Sequence, residues 1–167
     1  MKPSPSALAR ASDSRRKIAG ESFLKFQLCP NTLAVFTMRQ VLEAMTLPTR
    51  QLTPMPNTAP YMLGLMNRRS RVLWVVSLPL LLGLPLPSIP VQQYSLIIVQ
   101  VNSMPLALAV HQVDGITWLD PTQIQPSLNH LSTSIVPYLS GCVFQQNTVL
   151  LVLDAAAVIK SPLLRQH

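Results

Sequence analysis

Three arginines within four residues, Arg68, Arg69 and Arg71, make the densest charge outside the N-terminal region. They interrupt an apolar stretch, Gly64–Leu84, whose second part is broken only at Ser77, Pro79 and Gly83. Arginine presents a planar, permanently charged fork that suits carboxylates, phosphates and aromatic faces. Between two apolar runs, such a cluster can be a solvated turn, a protein contact or a nucleic-acid contact.

Acid–base and nucleophilic chemistry find little support. Of the six carboxylates, Asp13 and Glu21 lie in or beside the N-terminal tail, and Asp114, Asp120 and Asp154 fall at turn or cap positions. Glu43 stands alone in an apolar segment. No two have the local spacing of a general acid and base. His111, His130 and His167 share no motif, and His111 reads as a hydrogen-bonded structural histidine after an apolar strand. Cys29 and Cys142 are far apart, lack metal-ligand spacing and read as buried free thiols, because no export signal follows Met1. There is no G-x-S-x-G elbow, Walker loop or G-x-G-x-x-G, and five glycines leave little scope for a phosphate cradle. The sequence predicts no enzyme, no cofactor and no metal.

Composition narrows the remaining choices. The chain has 167 residues, which suits one domain or two small subdomains sharing a core. Hydrophobic residues make up 49%, ample for an interior, whereas charged residues are only 11%. A surface so poor in charge predicts extensive contact with partners. The net charge of +7 is uneven: residues 1–20 hold five basic residues against Asp13, and the rest holds eight basic against five acidic. Residues 1–20 therefore read as a disordered basic tail on a mildly basic body. Val72–Leu84, at 13 residues, is too short for the roughly 20 that a membrane helix needs, so no membrane insertion is expected. A soluble, cytoplasmic protein is the expectation.

The elements that must carry the arginines are short. Sixteen prolines cut the chain into pieces, most of which read as strands. Ser22–Leu28 and Thr32–Met38 form a hairpin around Cys29-Pro30-Asn31. Gln40–Met45 starts a helix or continues as a strand, and Thr46–Pro60, with four prolines, reads as a long irregular loop. Tyr61–Asn67 leads to Arg71–Leu78, a strand buried on both faces. Pro79–Leu82 makes one helical turn ended by Gly83. Tyr94–Val101, Met104–Val110 and Val113–Leu119 follow, the last broken at Asp114-Gly115. Ser140–Phe144 and Thr148–Leu153 make a final hairpin, and Asp154 caps a helix over Ala155–Lys160. About nine short strands at close spacing predict an all-β protein of two small barrels, joined near residues 85–92.

A nucleic-acid-binding barrel interleaves aromatic and basic residues on a sheet face. Aromatics are 5% here, and Trp74, which follows the arginines, is expected to pack inward. A protein-binding adaptor is the leading reading, with a basic β-barrel that binds nucleic acid as the alternative.

Gly64-Leu65-Met66-Asn67-Arg68-Arg69-Ser70-Arg71-Val72-Leu73-Trp74-Val75-Val76-Ser77-Leu78 resembles a run of the type G-L-x-N-L-R-G-x-V-[IL]-P-V-[IV]-D-L. That run typifies the CheW-like coupling domain of bacterial chemotaxis systems. Ser22–Met38 resembles the family's opening hairpin, and Val41-Leu42-Glu43-Ala44 its V-x-E-[IV] segment. Val110-His111-Gln112-Val113 resembles its V-D-x-V segment, and Gly141–Ile159 its closing hairpin and helix. The resemblance covers residues 21–167, everything after the tail. It implies two SH3-like five-stranded barrels, short helices and no catalysis. It also implies a scaffold joining a methyl-accepting chemoreceptor signalling domain to the regulatory domain of a CheA-type histidine kinase, recruited to membrane-associated receptor arrays. Arg69 takes the family's characteristic arginine, Gly64 and Asn67 shape the turn beside it, and Val41 and Glu43 contribute to the partner-binding surface. Arg68 and Arg71 add charge to that surface. Ser70, Trp74, Ser77 and His111 stand where glycine, proline, aspartate and aspartate are usual. Such variants suit related systems that steer twitching motility or phototaxis through type IV pili.

Overall fold

A computed structural model describes residues 20–86, 89–126, 131 and 133–166. The tail up to residue 19, His130 and His167 lie outside the described residues. Among those described there are ten strands: β1 (Glu21–Cys29), β2 (Thr32–Thr37), β3 (Val41–Pro48), β4 (Met62–Arg68) and β5 (Arg71–Ser77), then β6 (Gln93–Val101), β7 (Met104–Val110), β8 (Gln112–Leu119), β9 (Leu139–Gln145) and β10 (Thr148–Leu153). Helices α1 (Leu78–Leu81) and α2 (Ala155–Ile159) follow β5 and β10.

Local chemistry explains most of these boundaries. Three hairpins turn in two residues with both φ values positive: Arg69-Ser70, Asn102-Ser103 and Gln146-Asn147. That twist matches the right-handed twist of the flanking strands. The β1–β2 turn places Pro30 before Asn31 at φ 67°, so proline sets the first corner and asparagine accepts the left-handed second one. Ser77 caps α1, its hydroxyl accepting from the Leu80 N–H, and Asp154 caps α2 by accepting from Ala156 N–H at 3.0 Å. Asp114-Gly115 does not break β8. The register shifts there, against Lys25 and Phe26, and the strand runs on.

The strands form two curled five-stranded sheets, as the all-β expectation required. A terminal barrel has the order β8-β1-β2-β10-β9, and a central barrel β3-β6-β7-β5-β4. The expected link near 85–92 is corrected by this topology. It joins β5 to β6, both of the central barrel. The chain crosses between barrels through Met38–Gln40 and at His111, whose N–H donates to the Gln27 carbonyl at 2.9 Å. Proline density marks a connection but carries no information about which sheet the flanking strands join. Of Gln40–Met45, Gln40 ends a 3-10 turn and Val41–Met45 resolves as strand, and β3 runs on to Pro48 before the irregular loop starts.

Three apolar clusters hold the structure. Phe23, Val35, Leu119, Val143, Leu150 and Val152 fill the terminal barrel. Leu47, Met66, Leu73, Val75, Leu96, Ile98, Ala107 and Ala109 fill the central one. The largest cluster lies between the barrels, where Phe26 and Phe36 of one sheet meet Val76, Ile97, Val99 and Leu108 of the other. Each barrel is also drawn closed at its seam. Thr53, beyond β3, bridges Leu65 of β4, and Gln125, beyond β8, bridges Cys142 of β9.

Candidate functional site

The arginine cluster sits at the open end of the central barrel. Arg68 and Arg71 are the last pair of the β4–β5 hairpin, and the pair beneath them, Met66 and Leu73, belongs to the barrel interior. Because side chains alternate along a strand, both arginines project over the barrel mouth. Arg69 lies at the turn itself with φ 52° and a side chain 77% exposed.

Glu43 reaches this mouth because β3 bulges. Val41 pairs with Val99 and Glu43 with Ile98, so the register slips by one residue between them. Simple alternation would put Val41 and Glu43 on one face. Instead Val41 packs against the core between the barrels, and Glu43 turns to the mouth. There Arg68 Nε donates to Glu43 Oε1 at 2.9 Å, and a second nitrogen of the same guanidinium lies 2.6 Å from that oxygen. Arg69 approaches the other carboxylate oxygen at 3.8 Å. β3 and β4 are the two edges of the sheet, so the Arg68–Glu43 pair clasps the barrel across its seam.

Four of the seven expected residues therefore come together: Glu43, Arg68, Arg69 and Arg71 line one cleft of about 280 Å³. The cleft also involves Leu42, Leu73, Ile98 and Pro105. The other three go elsewhere. Asn67 is exposed on the outer face of the hairpin, opposite Val72. Val41 faces the inter-barrel core. Gly64 lies in β4, where a Cβ would stand 2.4 Å from the Thr53 carbonyl oxygen. It is thus required by the seam rather than by the turn beside Arg69. The turn needs positive φ at Arg69 and Ser70, which serine supplies at 66° without the freedom of glycine.

Sequence reasoning missed the apolar residues around the mouth. Leu42, 58% exposed, lines it together with Leu73, Ile98 and Pro105. The available signal was the parallel pairing of β5 with β7, which sets the β6–β7 turn at the same end as Arg71, but parallel partners are not visible in a sequence. Among the described residues, no group of three or more histidine, cysteine, aspartate or glutamate side chains could hold a metal ion. Cys29 and Cys142 are both buried. No described helix is long and apolar enough to cross a membrane.

Residues 22–163 match the family model for the CheW-like domain. The chain belongs to the CheW-like domain family. A relative from Rhizobium meliloti (strain 1021), named chemotaxis protein CheW, is 27% identical over 135 residues, covering 81% of each chain. The fold is similar to the crystal structure of scaffolding protein TtCheW from Thermoanaerobacter tengcongensis, with a TM-score of 0.70 and 18% identity. That match covers 81% of this chain and 89% of the other. Departures from the usual CheW-like run have local explanations. Ser77 keeps the capping function that an aspartate would perform, as Asp154 does for α2. Trp74 packs against the inter-barrel core, where its ring adds to the apolar contact between sheets. His111 occupies the crossover between β7 and β8.

Proposed function

We propose that this CheW-like chain is a non-enzymatic adaptor coupling a chemoreceptor signalling domain to the regulatory domain of a CheA-type histidine kinase. The family match over residues 22–163 carries the reading, because it spans both barrels rather than one motif. The names of the relatives, a chemotaxis protein and a scaffolding protein, support it. The low charge content and the exposed Leu42 at the rim of a cationic cleft fit a protein-binding surface. The pathway it serves is chemotaxis or the pilus-based motility and phototaxis systems related to it, with recruitment to receptor arrays through the receptor partner.

In this reading Arg69, Arg71 and Glu43 contribute to a docking corner, with Arg69 the residue that takes the family's characteristic position. Val41 and Gly64 support that corner from behind, through the core and the seam. The test is co-purification of the full chain with a receptor signalling domain and a CheA-type kinase from the same genome. Wild type should retain both, and Arg69→Glu should weaken at least one while the protein stays folded. Failure of the wild type to bind either partner overturns the adaptor reading. Unchanged binding by Arg69→Glu removes the role of Arg69. The alternative of a nucleic-acid-binding barrel predicts steeply salt-dependent retention of single-stranded DNA, measurable by gel retardation.

A further inference from the structure

The mouth of the central barrel holds three guanidinium groups and one carboxylate, and the carboxylate is shared unequally. Arg68 and Arg71 stand directly opposite one another at the end of the hairpin. Like charges so placed on a sheet repel. Glu43 compensates Arg68 at 2.9 Å and reaches Arg69 at 3.8 Å. Arg71 is exposed and, among the described residues, has no carboxylate within ion-pair distance. The cleft it lines has an apolar floor of Leu73 and Ile98, and its rim carries the exposed Leu42.

We propose that this mouth receives a segment of a partner protein carrying an apolar side chain beside a carboxylate. The apolar group seats over Leu73 and Ile98 against Leu42, and the carboxylate pairs with Arg71. The inference rests on the adaptor reading and adds to it the chemistry of the segment recognised and the residue that recognises it. Charge complementarity argues for this occupant, since the rim carries three arginines against one carboxylate, an excess of two positive charges that no further carboxylate among the described residues neutralises. The cleft, at about 280 Å³, admits a side chain of leucine or phenylalanine size. A nucleic acid or lipid headgroup would satisfy the arginines and leave Leu42 in water, whereas an acidic–apolar segment covers both kinds of surface. Arg68 is held by Glu43 as part of the barrel seam, so Arg71 is the cation free to exchange water for a partner.

The test uses the full chain and two probes. The first is the receptor and kinase domains, titrated by calorimetry against wild type, Arg71→Gln and Arg71→Lys. Arg71→Gln should weaken one association about tenfold and flatten its salt dependence, with Arg71→Lys recovering part of the loss. Wild-type binding left unchanged in affinity and salt slope by Arg71→Gln overturns the inference and leaves the adaptor reading standing. The second probe is an array of short synthetic peptides pairing glutamate with leucine or phenylalanine, beside controls with glutamine in place of glutamate. Retention of the acidic peptides by wild type and its loss in Arg71→Gln supports the inference even where neither domain binds. No preference for the acidic peptides overturns it. So does equal Arg71-dependent binding to phosphatidylglycerol vesicles or single-stranded DNA, which would make the mouth a general anion patch.

Discussion

A methyl group added at Gly64 would lie 2.4 Å from the Thr53 carbonyl oxygen, and its φ of 147° is one that L side chains rarely adopt. Gly64→Ala is therefore expected to destabilise the fold by about 1–3 kcal/mol. Urea unfolding measures this, and an unshifted midpoint would show that the seam does not need glycine. Ser70 makes the opposite case. It holds φ 66° at a turn where glycine adopts that conformation without a Cβ penalty. Ser70→Gly should raise stability by about 0.5–1 kcal/mol, read as a higher urea midpoint, with partner affinity unchanged. The Arg68–Glu43 pair is only half-buried, so its own contribution is of the order of ~1 kcal/mol or less. Glu43→Gln leaves three facing cations, and the expected loss of stability should shrink in high salt as those charges are screened. A loss independent of salt would show that hydrogen bonding rather than charge maintains the clasp. At this scale the arginines were legible in the sequence as a group. Their division into a clasped Arg68 and an open Arg71 was not, because it depends on Glu43, 25 residues away along the chain.

Elements were legible where their ends carry their own signals. Pro30-Asn31, Asn102-Ser103 and Gln146-Asn147 mark turns by residue type, and the hairpins stand where those residues put them. The caps follow the same logic. Asp120 accepts from the hydroxyl and the backbone N–H of Thr122 at the start of a short 3-10 turn. The hydroxyl bond first, then the backbone bond, holds its carboxyl below the ordinary value of 3.8. The folded value lies below the unfolded one, so the stabilisation is present above the unfolded pKa and is lost as pH falls through the folded one. Asp120→Asn should therefore flatten the decline of the thermal midpoint below about pH 4. An unchanged acid limb in that variant would show that the cap does not contribute to it. The bulge in β3 had no such signal. Val41-Leu42-Glu43 reads as a plain alternating strand, and the register slip that sends Glu43 to the mouth is a property of its pairing with β6.

For the whole molecule, the cluster between the barrels is larger than either barrel interior, and it draws on both sheets. The chain also crosses from the terminal barrel to the central one and back, so the central barrel is a contiguous insertion between β2 and β8 and the terminal barrel is built from both ends of the described chain. Unfolding should be one cooperative transition, with tryptophan fluorescence and far-ultraviolet circular dichroism giving coincident midpoints. Two resolved transitions would contradict a shared core. Phe26, fully buried with its ring centroid 5.2 Å from that of Phe36, lies within that core. Phe26→Ala should cost about 3–5 kcal/mol, and it should lower the single midpoint rather than split it. By itself, the sequence determined the all-β class, the hairpins, the helix caps, the absence of a motif for catalysis and the position of the arginine corner. Each depends on residue types within a few positions of one another: proline and asparagine at turns, alternating apolar residues in strands, charge grouped along the chain. The tertiary structure alone decided that β1 and β2 share a barrel with β8 to β10. It also decided that the link at 85–92 stays inside the other barrel, and that Glu43 and Leu42 meet the arginines at its mouth. Those outcomes follow from which strand edges pair and in what register, and that is set by long-range packing of apolar faces rather than by local spacing.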